Sequence, residues 1–202
     1  MKELEQSIIK SNLSKAFLSS TDARPAAARV DMAKTFQAIN QMIEDGIIQS
    51  YAVGGATAAF FYVEPDTTFD VDIFCVSSGW EENKLDILGP LYEYLSSKKY
   101  EPQEDGVIIE GFRVQFLPVF DPLNDEAVQN ANDLTYSSVP VRVMNPEYLV
   151  AIMLQTGRPK DYARVLRFLD ADAFDVGALK EILSRHELES KLTILRQLGA
   201  NI

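Results

Sequence analysis

One cysteine and one histidine occur in 202 residues, and each scarcity removes a class of chemistry. Cys75 alone can form neither an internal disulfide nor a cysteine-rich zinc site. His186 alone makes histidine-based metal sites and Ser-His-Asp triads poor candidates. No apolar run approaches the length of a membrane span. The N-terminal stretch "MKELEQSIIKSNLSK" lacks the apolar core of a signal peptide, so no membrane partner is expected and the cytoplasm is the expected location. There is no lysine-arginine run either. The chain carries 19 basic against 30 acidic residues, a net charge of −11. A large polynucleotide footprint is disfavoured, because neutralising phosphates takes basic residues gathered on one face. The acidity itself is the ordinary device for solubility. Hydrophobic content of 47% and charged content of 24% are those of a globular chain, and the length suits one domain or a core with a small appendage.

Apolar spacing predicts helices over 3–18 and 30–45, with Met32, Phe36, Ile39, Met42 and Ile43 on one face of the second. "TDARP" between them is a turn with Pro25 at a helix start. "IIQSYAV" (47–53) reads as a strand ending at Gly54-Gly55, "ATAAFFYV" as a short helix stopped by Pro65, and "FDVDIFCV" (69–76) as a second strand. A helix over 82–99, kinked at Gly89-Pro90, is expected next. "GVIIEG" and "FRVQFLPV" follow as a hairpin or a bent strand pair, then a surface helix over 122–133 and a last strand over 139–144. Asn145-Pro146 opens a run of helices. The expected organisation is an α/β (α+β) core with N-terminal helices over 1–144, and a helical C-terminal portion over 145–202.

Asp70 and Asp72 stand out, because carboxylates are seldom buried without a partner. Two residues apart in a strand, they project from the same face, where like charges repel unless a cation or hydrogen-bond donors intervene. Magnesium takes hard oxygen ligands, often from one or two carboxylates plus substrate phosphates. Taken alone, the pair is better accounted for by an exposed strand face or end. Gly54-Gly55, between a strand and a helix start, lets backbone N–H groups approach a phosphate, and Thr57 adds a hydroxyl in the first helical turn. Taken separately, these residues also suit an ordinary tight turn and a helix cap. A phosphate cradle after one strand and an acid pair on the next together describe a nucleoside triphosphate site.

"GGATAAFFYVEPDTTFDVDIF" resembles the signature of the DNA polymerase beta superfamily of nucleotidyltransferases: two small residues, a short helix, then Asp-x-Asp. The nearest likeness is to the AbiEii-type, toxin-like nucleotidyltransferase family, which often adds a helical part with a Gly-Arg-x-Lys-Asp sequence. "TGRPKDYARVLRFL" matches that pattern at Gly157, Arg158, Lys160 and Asp161. The resemblance spans about Tyr51 to Leu169. It implies a nucleotidyltransferase-type mixed sheet flanked by helices, Mg2+ on Asp70 and Asp72, and phosphates held by Gly54, Gly55 and Thr57. Lys160 and Arg158 would supply positive charge to the triphosphate, although Arg158 and Asp161 equally suit a local pair at a helix start. The implied reaction moves a nucleoside monophosphate from a triphosphate to an acceptor hydroxyl on RNA, protein or a small molecule, and an antitoxin-like partner is implied with it.

The sequence departs from the pattern where a third carboxylate is expected, on "GFRVQFLPV", because Gln115 occupies that place. Glutamine offers a carbonyl oxygen to a cation but cannot take up a proton. Glu110 and Asp121 flank the strand as possible substitutes. A protein that binds nucleotide or a partner without turnover is the alternative this residue favours. His186 is expected to be a solvated helix-end residue, Cys75 a small core filler, and Trp80 a cap or partly buried residue.

Overall fold

The computed structural model describes residues 32–63, 70–77 and 88–200. The helix expected over 3–18, the turn at Pro25, the stop at Pro65, Trp80 and residues 82–87 lie outside them. Helix α1 (Met32–Glu44) leads to strand β1 (Ile48–Val53), the five-residue helix α2 (Gly55–Ala59) and strand β2 (Asp70–Ser77). After α3 (Gly89–Ser97) come β3 (Glu101–Gln103), β4 (Gly106–Ile109) and β5 (Phe112–Pro118). Then follow α4 (Pro122–Gln129), β6 (Asn132–Tyr136) and β7 (Val139–Val143). The chain continues through α5 (Pro146–Thr156), α6 (Pro159–Asp170), α7 (Val176–Arg185), a 3-10 turn (Glu189–Lys191) and α8 (Leu192–Gln197).

The strands form one seven-stranded mixed sheet in the order β3-β4-β5-β2-β1-β7-β6. β1 is antiparallel to β2 and parallel to β7, while β2 is parallel to β5. The expected α/β (α+β) class is thus observed, with β1 and β2 side by side at the centre of the sheet. Val71, Ile73 and Cys75 occupy the fully buried face of β2, and strand alternation turns Asp70, Asp72 and Phe74 to the other. Cys75 is the expected core filler, its thiol pushed up to about 12 by burial.

Several elements differ from expectation. Pro90 follows the start of the described helix at Gly89, and the earlier part of the expected helix lies outside the described residues. The proline sits in the first turn of α3, where a missing N–H is harmless and the ring's fixed φ suits helix initiation. The surface helix ends at Gln129, and 132–136 form the edge strand β6 antiparallel to β7. β3 was not legible at all; its three residues are exposed, so no burial pattern marks them. Glu110 (φ 51) and Gly111 (φ 89) turn the β4–β5 hairpin in the left-handed region.

Helix α1 buries Met32, Phe36, Ile39 and Met42, the apolar face read from the sequence, and packs on β1 and β7. Thr35 Oγ1 donates to the Ile109 carbonyl at 3.1 Å, and Asn40 Nδ2 to the Pro140 carbonyl at 2.8 Å. Asn145 caps α5 by accepting from the Tyr148 N–H at 3.2 Å, with Pro146 in the first turn. One hydrophobic core joins sheet residues such as Val53 and Ile73 to Val150, Leu154, Phe168 and Leu183 of the C-terminal helices.

A polar knot fastens those helices to α4. Glu126 accepts from the Tyr148 hydroxyl at 2.6 Å and from Arg185 through Nη2 at 2.5 Å and Nε at 3.1 Å. It also bonds His186 Nε2. His186 is therefore at a helix end, as expected, but packed against a carboxylate rather than solvated. Burial pushes the Glu126 carboxyl up, but the hydrogen bonds from Arg185, Tyr148 and His186 outweigh it and bring it down to about 2.

Candidate functional site

The C-terminal end of β1 and the N-terminal ends of β2 and β5 meet at one end of the three central strands. The Gly54 N–H donates to the Asp72 carbonyl at 2.9 Å, which extends the β1–β2 pairing past the strand end. Its N–H is thereby committed to the sheet rather than to a phosphate. A β-carbon on Gly54 would lie 2.4 Å from the Phe74 ring. Gly55 has φ +56, and a β-carbon there would lie 1.8 Å from Asp72 Oδ2. The glycine pair is thus required twice over: one residue admits a ring, and the other admits a carboxylate.

Thr57 is fully buried, and its hydroxyl donates to the Asp70 carbonyl at 2.8 Å. It ties α2 to the start of β2 instead of turning outward to a ligand. The Gly55, Ala56 and Thr57 N–H groups begin α2, where helical geometry leaves donors without an intrahelical partner.

The register of β2 against β5 sets Asp70 level with Arg113 and Asp72 level with Gln115. Arg113 grips Asp70 as a fork, with Nε on Oδ1 and Nη2 on Oδ2 at 2.8 Å. Bidentate pairing of this kind combines charge and geometry. Sequence reading missed Arg113. Its parity with Gln115 was available, but register against a parallel neighbour was not. Asp72 receives no such fork: no described residue gives its carboxylate a hydrogen bond. Burial, then the neighbouring Asp70 charge, hold the Asp72 carboxyl above the usual carboxylate range, while Arg164, Lys160 and Arg158 pull the other way. Cations from α6 and its cap therefore act on this carboxylate.

Arg158 also has a structural task. Its Nε and Nη2 bond Asp161 at 2.7 and 3.1 Å, and its backbone N–H donates to Asp161 Oδ2 at 3.2 Å. Asp161 is buried, with Arg164 Nη1 at 4.0 Å. The local pair and the proximity to Asp72 coexist.

Of the acids considered as substitutes for Gln115, Asp121 caps α4 by accepting from the Leu123 N–H at 2.7 Å and accepts from Gln155 at 2.8 Å. Glu110 stands in the hairpin turn, 3.5 Å from the Tyr100 hydroxyl. Neither shares the Asp72 register position. Among the described residues no group of three or more histidine, cysteine or acidic side chains could hold a metal ion, and no helix is long and apolar enough to cross a membrane.

No family model matches the chain. Among curated proteins, 70 residues are 34% identical to a DNA-directed RNA polymerase subunit beta from Enterococcus faecium. The match takes in 34% of this chain, which spans only 6% of that relative's length. The structure of E. coli MS115-1 CdnC with ATP aligns over 83% of this chain and 56% of its own, at a TM-score of 0.34 and 18% identity. An antigenic nucleotidyltransferase-like protein from Paracoccidioides brasiliensis aligns over 87% of this chain and 95% of its own, at a TM-score of 0.51 and 16% identity. The likeness to that protein establishes the architecture: the chain has a nucleotidyltransferase-like fold.

Proposed function

We propose that the protein binds a nucleoside triphosphate where the ends of the central strands β1, β2 and β5 meet and transfers its nucleoside monophosphate to an acceptor hydroxyl. The observation that carries this reading is Asp72: a desolvated carboxylate to which no described residue donates a hydrogen bond, held against Gly55 and acted on by Arg164, Lys160 and Arg158. Such an arrangement suits a ligand that brings both a cation and anionic oxygens. The residues fit one magnesium ion on that ground, with Asp72 and the amide oxygen of Gln115 as the available donors and Asp70 beside them in the Arg113 fork. When bound, the ion supplies charge neutralisation on the phosphates and a template for in-line attack.

The chain's own groups do the rest. Lys160 and the Arg164 guanidinium draw the anionic phosphates toward α6, and the N–H groups at the start of α2 offer neutral donors. The resemblance to AbiEii-type nucleotidyltransferases points to the same site, and with it to an antitoxin-like partner. Gln115 and the Arg113–Asp70 fork favour one other reading, binding without turnover, because no residue level with Asp72 can take the acceptor's proton. Incubation with each α-labelled nucleoside triphosphate, magnesium, and separate RNA, protein and small-molecule fractions distinguishes the two. Transfer of label that Asp72→Asn abolishes supports the enzyme. Magnesium-dependent retention of triphosphate with no transfer to any fraction supports the binding protein.

A further inference from the structure

The face bearing the two acids carries an unusual arrangement of charge. On β2 stand Asp70 and Asp72; level with them on β5 stand Arg113 and Gln115. The guanidinium bonds both oxygens of Asp70. Arg113 is also 4.0 Å from Glu104, but that carboxylate is 86% exposed, so solvent screens its contribution. Arg113 offsets the charge of Asp70, and Gln115 is neutral, while Asp72 has no fork and is acted on from a distance by Arg164, Lys160 and Arg158. A second divalent ion approaching Asp70 would meet a fixed positive charge at contact distance.

We infer that Arg113 is a built-in counter-cation that limits this site to one divalent ion, seated on Asp72, and stands in for a second. The inference rests on the triphosphate site proposed above and assigns the positive charge within it. Arg113 is a positioning residue, because it acts on the incoming ion through Asp70. Its guanidinium is always protonated, so the restriction holds at every working pH. Two-ion sites need carboxylates to share between ions some 3.5–4 Å apart. Here the carboxylate that could be shared is held by the fork, and the place of the third is taken by an amide.

Manganese is the probe, counted by the electron paramagnetic resonance of the unbound ion during titration of the protein without nucleotide. Wild type is expected to bind no more than one ion per chain. Arg113→Gln should tighten that binding at least about ten-fold, since a unit positive charge on the neighbouring strand, two positions from the residue level with Asp72, is removed. Arg113→Lys, which keeps the charge and loses the fork, should stay near wild type. Arg113→Gln combined with Gln115→Glu should bind two ions.

Two ions on the wild type would overturn the inference. So would an affinity unchanged within about two-fold in Arg113→Gln, or an equal gain in Arg113→Lys, because the ten-fold expectation rests on charge. A fold disturbed by loss of the pair would show in the circular dichroism of both single variants, and Gln115→Glu alone then carries the test: one ion supports the inference and two contradict it. Retention of labelled triphosphate on the wild type, measured separately with magnesium, tests the underlying site. Failure there leaves the manganese counts to be read by themselves.

Discussion

The carboxylate of Asp72 lies where a β-carbon on Gly55 would be, 1.8 Å from that position, and Gly55 adopts φ +56. A functional acid and a turn glycine are thus one feature. Gly55→Ala should cost about 2–4 kcal/mol, combining left-handed strain with displacement of the carboxylate. Gly46, at φ +71 with nothing within 4 Å, is the control. Gly46→Ala should cost only about 1–2 kcal/mol, the conformational part alone. Urea denaturation of the two variants gives the comparison, and equal losses would mean that the Asp72 contact is easily relieved.

Asp72→Asn should leave stability unchanged or raise it by up to about 1 kcal/mol, since a desolvated charge beside a like charge is removed. Magnesium-dependent triphosphate binding should fall at least about ten-fold, the loss of one charged contact. Thermal melting with and without ligand measures both. A large loss of stability would assign Asp72 a structural role instead.

The Gly-Arg-x-Lys-Asp stretch separates into two tasks. Arg158→Ala should destabilise by about 1–3 kcal/mol, because buried Asp161 loses its fork. Lys160→Ala should leave the melting temperature within a degree or two of wild type, as an exposed surface change does, yet weaken triphosphate binding. Thermal denaturation and equilibrium binding on both variants check the division. If Lys160→Ala binds normally, phosphate recognition does not involve it.

The Asp-x-Asp face and the Arg158–Asp161 pair were legible, because each follows from spacing along one segment. The missed features depend on pairing between segments. β6 reads "NDLTY", polar and without a strong alternation, and its place is given by β7 beside it. Arg113 facing Asp70 required the register of two strands separated by 43 positions. What packs against the glycine pair was not legible either, because a sequence shows that glycine is permissive without showing that the Phe74 ring and the Asp72 carboxylate fill the space.

The Glu126 knot should make stability depend on acid. Its carboxyl lies at about 2 in the folded chain against 4.5 ordinarily, so folding favours the ionised form. The stabilisation is full above pH 4.5 and disappears as the pH falls through about 2. Glu126→Gln should cost about 1–2 kcal/mol at pH 7, discounted for partial exposure, and nothing near the lower limit. Urea midpoints across this range, for wild type and variant, check the convergence. A constant difference would show that the knot acts through packing.

The most direct test of a triphosphate site at Asp72 is equilibrium binding of ATP, GTP, CTP and UTP to the wild type and to Asp72→Asn, with magnesium and with chelator. At least one nucleotide is expected to bind the wild type only with magnesium and to be lost from the variant. Binding that ignores both magnesium and the substitution, or no binding of any of them, would contradict the account.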